Sequence, residues 1–358
     1  MKSTAKKKFL LITGIVLSAF IITVLSYAAY VLFSYDRLAD NITLDIEKGA
    51  GKTAVTGEKL SIVTYNIGFG AYSQDYSFFM DGGEHSRALS ENAVKENTQG
   101  ALKTVQNADA DFILFQEVDI YGTRSYHVNQ CKLLSSGLSK YDSVFALNYD
   151  SPYFLYPLNE PIGANKSGIL TFSSFSISSA VRKSLPVEDS LYKLFDLDRA
   201  YTVSVIPTDN GKNLVLYNLH LSAYTSDGKI ADEQLKILCA DMQKEYQKGS
   251  YVIAAGDFNK DLLGDSSEYF GVEPSEEFNW AKPFDTSILP DGIKCYTGTN
   301  APTCRNADSA YRGDGTDFVL SVDGVLASDN VKVISCNTVD TRFLYSDHNP
   351  VKAEFILN

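Results

Sequence analysis

Residues able to bind a cation or a phosphate recur in this chain where apolar runs stop. Asn66 follows Ile62-Val63, Gln116-Glu117 follow Phe112 to Phe115, Asn218 and His220 follow Leu214 to Leu216, and Asp257 and Asn259 follow Val252 to Ala255. Asp347-His348 forms a further acidic-imidazole pair near the C-terminus. The chain has only four His, and two of them, His220 and His348, fall in these clusters. Carboxylates and amides supply the oxygen ligands that a hard cation such as Mg²⁺ prefers, and an imidazole exchanges protons near neutral pH. Glu117 has no Lys or Arg beside it, so a carboxylate there needs a hydrogen-bonded partner or a cation. Gly256 permits close backbone approach before Asp257, and Asn259 can offer an amide N–H to a phosphate oxygen.

These groups meet only if the elements carrying them end on one edge. Residues 60–67, 111–116, 141–147, 168–172, 201–206, 213–219 and 251–255 read as strands, as do 317–322, 331–335 and 351–356. Val94, Ala101, Leu102 and Val105 share one face of a helix over 92–108, and Ala231, Leu235, Leu238, Met242 and Tyr246 one face of a helix over 227–247. Adjacent strands mixed with helix-separated ones predict an α/β fold, a four-layer α/β sandwich in which two mixed β-sheets pack face to face with helices outside. Strand ends on one edge of such a sandwich converge. Asn218 and His220, two apart, then share a face.

The 358 residues hold 32 Lys and Arg against 44 Asp and Glu, a net charge of −12. That balance argues against an extended basic surface for gripping nucleic acid, although a bound cation lets an acidic protein hold one phosphodiester. Residues 9–33 contain no charged side chain and as a helix would cover roughly 37 Å, more than the roughly 30 Å of a hydrocarbon core. Lys2, Lys6, Lys7 and Lys8 precede this run and Asp36, Arg37, Asp40, Asp45 and Glu47 follow it, which predicts a cytoplasmic basic segment (1–8), one transmembrane helix (9–33) and an extracytoplasmic remainder. The expected location is the cell membrane, single-pass; a cleaved signal peptide is the competing reading, against which the run is long. Gly49, Gly51 and Gly57 mark 34–59 as a linker, leaving 60–358 as one catalytic domain. Of five Cys, Cys295 and Cys304 flank a short polar loop and are the expected disulfide if one forms; buried free thiols are the alternative.

Thr64-Tyr65-Asn66-Ile67, Gln116-Glu117-Val118-Asp119, Asn218-Leu219-His220, Gly256-Asp257-Phe258-Asn259, Thr316-Asp317-Phe318-Val319-Leu320 and Ser346-Asp347-His348-Asn349-Pro350-Val351 occur in that order. Together they resemble the endonuclease/exonuclease/phosphatase superfamily, which includes deoxyribonuclease I, exonuclease III, neutral sphingomyelinases and inositol polyphosphate 5-phosphatases. The resemblance runs from Leu60 to the C-terminus. It implies a Mg²⁺ or Mn²⁺ ion held by Glu117 with Asn66 and Asp347, a water oriented or deprotonated by Asp257, and a phosphate contact from Asn259. His220 would contact the phosphoryl group with Asn218 in support, and His348 would be oriented by a carboxylate matched to Asp317. Thr316 departs from the apolar residue usual there. Asp323 is the poorer candidate for that carboxylate, because Gly324 follows it and Val322-Asp323-Gly324 reads as a turn.

The implied reaction is divalent-metal-dependent phosphodiester hydrolysis by in-line attack of an activated water. Arg124, Asn148 and Asn165 are candidate phosphate or head-group contacts. The substrate class stays open between a lipid head group and nucleic acid, with an extracellular DNase or RNase, a phosphomonoesterase and a catalytically silent binding domain as alternatives. No obligate protein partner is evident.

Overall fold

The computed structural model describes residues 2–35, 37–189, 193–196, 198–223, 229–273 and 281–358. The helices are α1 (Lys2–Phe33), α2 (Glu91–Ala108), α3 (Gln130–Gly137), α4 (Lys193–Asp196), α5 (Lys229–Gln247) and α6 (Ser266–Phe270). In chain order the strands begin with β1 (Ile42–Thr43), β2 (Lys59–Asn66), β3 (Phe112–Gly122), β4 (Asp142–Asp150) and β5 (Asn165–Ser173). Next come β6 (Ser179–Ser184), β7 (Ala200–Pro207), β8 (Asn213–His220), β9 (Tyr251–Asp257) and β10 (Ile293–Tyr296). The last are β11 (Cys304–Arg305), β12 (Val319–Leu320), β13 (Asp323–Ser328), β14 (Val331–Thr338) and β15 (Val351–Leu357).

Two mixed sheets face each other, one ordered β1-β6-β7-β8-β9-β13-β10 and the other β14-β15-β2-β3-β5-β4. Each contains one parallel pair, β8 with β9 and β2 with β3. A parallel connection needs a crossover, and α5 and α2 supply the two crossovers. Period-two alternation divides the strand residues between layers. Ile62, Leu114, Leu216, Ile253, Val325 and Phe355 fill the space between the sheets. Val252, Ala254 and Leu326 turn outward against Leu235, Leu238 and Met242 of α5, and Val63, Tyr65 and Ile113 pack under Ala101 and Val105 of α2. The expected four-layer sandwich is therefore the observed architecture. Of the helix expected over 227–247, residues 227 and 228 lie outside the described residues, and α5 begins at Lys229.

Two expectations change. Residues 317–322 do not form one strand: Val319–Leu320 pairs with β11, and the chain joins the large sheet only at Asp323. Of the linker expected over 34–59, the described stretch 37–59 is not free but is sewn along the domain, residue 36 lying outside the described residues. Leu38 N donates to Asp198 Oδ1 (2.8 Å), β1 extends the sheet beside β6, and Lys48 Nζ pairs with Asp142 Oδ2 (2.9 Å).

Asp142 is the principal clasp of this segment. Its Oδ1 accepts from Gly49 N and Ala50 N, and its Oδ2 from Ile177 N, each at 2.9 Å. Burial alone would raise the carboxyl pKa, but Lys48 and the Gly49, Ile177 and Ala50 amides outweigh it and hold the pKa below the usual Asp range. A group depressed on folding stabilises above its unfolded pKa, about 3.9, and loses that contribution as pH falls through the folded value. Asp142→Ala strands the buried Ile177 N–H and loses the half-buried hydrogen bonds from Gly49 N and Ala50 N, so it should destabilise by about 2 kcal/mol. Thermal unfolding of the detergent-solubilised chain, followed by circular dichroism, should show a lowered midpoint at pH 7 and a gap that narrows below pH 4. Equal midpoints at pH 7 would remove Asp142 as the clasp.

Candidate active site

The site continues the inter-sheet core to its edge. Along β9, Tyr251, Ile253 and Ala255 are core residues, and the next residue on that face is Asp257; along β8 the same alternation ends on Asn218 and His220, and along β13 it begins on Asp323. Strand pairing sets His220 opposite Asp257 and Asp257 opposite Asp323. From the facing sheet, Asn66 ends β2 on the face of Leu60 and Ile62.

Glu117 reaches the same place by an irregularity. The pairing of β3 with β5 shifts between Phe115 and Val118, and Glu117 has φ 56°. A bulge re-aims a side chain, and a non-glycine residue in the left-handed region costs on the order of 1–3 kcal/mol. Asn259, at φ 49°, is held in the same region beside Asp257. Gly256 has φ 155°, and a Cβ there would lie 2.0 Å from Leu219 O, so only glycine lets β9 pass β8 at this point.

Asn66 Nδ2 donates to Glu117 Oε1 (3.2 Å) and Asp257 Oδ2 (3.0 Å), joining the two sheets' contributions. Asp257 Oδ1 accepts from Asn259 N (2.8 Å), while His220 Nε2 and His348 Nε2 lie 3.5 and 3.8 Å from Asp257 Oδ2. Asn259 Nδ2 donates to Leu221 O (2.8 Å). Asp347 and His348 precede β15 and are fixed by a bridge between Cys304 and His348, with Arg305 N donating to Asp347 O (2.9 Å).

The carboxylate on His348 is Asp323, whose Oδ2 lies 2.8 Å from His348 Nδ1. Asp317 instead accepts from Gly313 N (2.8 Å) and faces the Arg312 guanidinium (3.5 Å). The expectation failed on Gly324, which is no turn residue. It sits within β13, where a Cβ would meet Leu262 Cδ1 at 2.6 Å and Tyr296 O at 2.7 Å, so it serves close packing. The inward alternation Asp323, Val325, Ala327 was the signal available.

The environment separates the two imidazoles. Burial, then Arg199, drives the His220 pKa well below its ordinary value. Burial acts the same way on His348, but the Asp323 carboxylate outweighs it and raises that pKa well above the ordinary value. Burial first, then the Asp323 charge, pushes Asp257 up to about 7. Asp347 is raised by burial and by the Glu117 charge, although His348 opposes this.

Glu117, His220, Asp257, Asn259, Asp347 and His348 line one pocket, with Asn66 and Asp323 bonded to them from behind. Arg199, Arg305, Cys304 and Tyr72 also line it and were not anticipated. An isolated Arg carries no spacing signal, so only the fold finds it.

Three of the other substrate candidates, Arg124, Asn165 and Asn218, are engaged within the scaffold. Arg124 pairs with Asp119 (2.9 Å) and lies 3.9 Å over the Phe69 ring. Asn165 Oδ1 accepts from Arg124 N (3.0 Å), and Asn218 binds Gln116 between the sheets (2.8 Å). Asn148 is buried, its Nδ2 unpartnered, and does not line the pocket. The five cysteines are free thiols. Cys295 pairs across to Leu326 in the sheet, whereas Cys304 lies at the pocket, 3.6 Å from His348 Nε2; the intervening loop carries the two apart.

Glu117 and Asp347 bring carboxylate oxygens to the pocket, the chemistry of a hard divalent cation, whereas the Asn66 oxygen expected beside them accepts from Gly68 N (3.0 Å) and its Nδ2 faces Glu117. Ligand atoms of Asp257, Asp323 and His348 also lie within 4.8 Å of one another, but here the His348 Nδ1 is engaged by Asp323, which makes the group a hydrogen-bonded proton site.

Carboxylates, amides and imidazoles on the converging ends of two facing mixed sheets define a phosphoesterase architecture. The chain belongs to the Endonuclease/Exonuclease/phosphatase family, matching it over residues 63–348. Family members are hydrolases acting on phosphoesters. No curated protein matches the chain significantly. Among solved structures, an endonuclease/exonuclease/phosphatase from Beutenbergia cavernae DSM 12333 is 15% identical, with TM-score 0.54 over 84% of this chain and 72% of that one. One from Bacteroides vulgatus is 18% identical, with TM-score 0.53 over 84% and 100%. A mannosyl-6-phosphatase of Bacteroides thetaiotaomicron VPI-5482 is 17% identical, with TM-score 0.53 over 83% and 99%. These similarities concern the fold.

Proposed function

We propose that the protein is a divalent-metal-dependent phosphodiester hydrolase that works by in-line attack of water. The observation carrying this reading is the convergence of Glu117 and Asn66 from one sheet with His220, Asp257 and Asp323 from the other, Asp323 holding His348 from the segment before β15. Glu117 and Asp347 would hold Mg²⁺ or Mn²⁺, with Asn66 joining them on a turn of its amide that brings the oxygen round to Glu117; the bound ion would polarise the phosphate and stabilise the leaving oxygen. Asp257 orients a water and takes its proton as the new oxygen–phosphorus bond forms; the opposite phosphorus–oxygen bond breaks, and the departing oxygen is protonated from solvent. His348, kept cationic by Asp323, donates from Nε2 to a non-bridging oxygen. Neutral His220 and the second N–H of Asn259 Nδ2 donate to the same equatorial charge.

The net charge of −12 favours a substrate with one accessible phosphodiester over a long polyanion. α1 holds one stretch, residues Ala5–Phe33, long and apolar enough to cross a membrane, and the Lys-rich first flank supports an N-terminus in the cytoplasm with the catalytic domain outside. The full chain in detergent should hydrolyse bis-p-nitrophenyl phosphate with Mg²⁺ or Mn²⁺ and lose that activity in chelator. Parallel assays on p-nitrophenyl phosphate, plasmid DNA, RNA and sphingomyelin vesicles sort the substrate class. Unchanged turnover in chelator sinks the metal mechanism, and turnover confined to the monoester sinks the diesterase reading.

A further inference from the structure

The membrane helix does not end in open solvent. Tyr27 Oη accepts from Leu155 N (2.8 Å) and donates to Tyr153 O (3.3 Å), and Tyr30 Oη accepts from Tyr153 N (3.0 Å). Val31 packs in a small core with Phe154, Ile162 and Leu194. The loop around residues 151–163 is therefore bound to the end of α1 by backbone and apolar contacts together.

The rest of that loop faces outward and is apolar. Leu155, Tyr156 and Leu158 are 42%, 64% and 84% exposed, and residues 151–159 contain no charged side chain. A patch of this kind on a soluble face invites association. Its place along the helix names the occupant. From Phe9, next to the last Lys of the basic flank, to Tyr27 a helix rises roughly 27 Å, close to the roughly 30 Å of a hydrocarbon core. Tyr27 and Tyr30 thus fall at the far interface, the depth at which Tyr rings are enriched, and the loop they hold lies at that depth too. The sewn segment after α1, with Leu38 on Asp198 and β1 on β6, gives the domain no slack to rise away.

The loop also touches the rim of the site. The Tyr156 ring lies 5.8 Å from that of Phe79, which opens a 3₁₀ turn ending at Asp81, and Asp81 lines the active-site pocket. Ser86 N donates to Glu160 Oε2 (2.7 Å) and Arg87 Nε to Pro161 O (2.6 Å), bracing the loop against the segment after that turn.

We propose that the loop spanning 151–163 is a second membrane-contact element that, with α1, seats the pocket mouth in the head-group layer, and that the substrate is a phosphodiester borne by a lipid of the same bilayer. The substrate part rests on the diesterase reading above; the membrane contact does not.

The test uses the full chain in proteoliposomes. Leu158→Trp should add emission, relative to the parent chain, that phosphatidylcholine with brominated acyl chains quenches. Leu155→Ser/Leu158→Asp should lower sphingomyelin turnover in the same vesicles about ten- to a hundredfold through misplacement, while leaving bis-p-nitrophenyl phosphate turnover unchanged. Unquenched added emission overturns the membrane contact. Equal loss on both substrates overturns it as well, since the loop would then act on catalysis directly. Quenching with diester turnover but no cleavage of any of sphingomyelin, phosphatidylcholine and phosphatidylinositol overturns the lipid substrate alone. Quenching with no turnover of any diester by the parent chain overturns the diesterase reading and leaves the contact standing.

Discussion

Glu117→Gln should lower kcat/KM on a soluble diester by about a thousandfold at fixed Mg²⁺, with the fold intact. The amide keeps the side chain's length and can still accept from Asn66 Nδ2, which bonds Glu117 Oε1 at 3.2 Å. What it loses is the charge, at a position the chain strains its backbone to fill: Glu117 sits at φ 56° on a bulged strand. The loss should have a metal signature, a requirement for about ten to a hundred times more Mg²⁺ or Mn²⁺. Titration of activity against each metal, with circular dichroism to confirm folding, checks both parts. A variant with parental activity and metal requirement would remove Glu117 from the cation site.

The second large effect separates two aspartates that lie six positions apart. Asp323→Asn should reduce kcat about 10²- to 10³-fold, because His348 loses the carboxylate that holds its Nδ1 at 2.8 Å and keeps the ring cationic. Asp317→Asn should leave kcat within about twofold, as its carboxylate serves Gly313 N and Arg312 in a surface loop. The effect of Asp323→Asn acts through His348, so the double variant with His348→Ala should be little worse than His348→Ala alone. The proton resonances of the His348 ring, followed across pH by NMR, should titrate at lower pH in Asp323→Asn than in the parent. Additive losses in the double variant, or a large loss in Asp317→Asn, would refute the pairing.

Elements with a strong apolar signature were legible in the sequence. Phe112 to Phe115 and Val252 to Ala255 are buried central strands, and the spacing of Leu235, Leu238 and Met242 defines the face α5 packs on the sheet. Motifs at strand ends were legible for the same reason, since a polar residue in phase with a core stripe must face the end of that core. Asn66, His220 and Asp257 follow that rule, while Glu117 joins them through its bulge and Asn259, Asp347 and His348 from the segments next to β9 and β15. Three kinds of feature were not legible. β6, Ser-Ala-Val-Arg-Lys-Ser, owes its place to its neighbours rather than to hydrophobicity. Residues 34–59 look like a linker because their anchoring uses side-chain acceptors far away, Asp142 and Asp198. Arg124, Asn165 and Asn218 show that residue type alone does not tell whether a polar group serves a substrate or its own scaffold, because buried polar groups take partners in either case.

Beneath the pocket, Gln116 Nε2 donates to Asn218 Oδ1 (2.8 Å) and to Thr64 Oγ1 (3.1 Å), while Asn218 Nδ2 reaches Phe115 O (3.3 Å), Leu170 O (3.2 Å) and Thr171 Oγ1 (3.2 Å). Apolar side chains alone resist sliding of one sheet over the other only weakly, since the hydrophobic effect has no direction. Directional bonds in a dry interior work as a dowel driven through both layers. A slip of one strand residue, roughly 3.3 Å, would carry Glu117 and Asn66 away from Asp257 and His220. Loosening this peg would leave two intact half-sites on a folded protein that no longer act together.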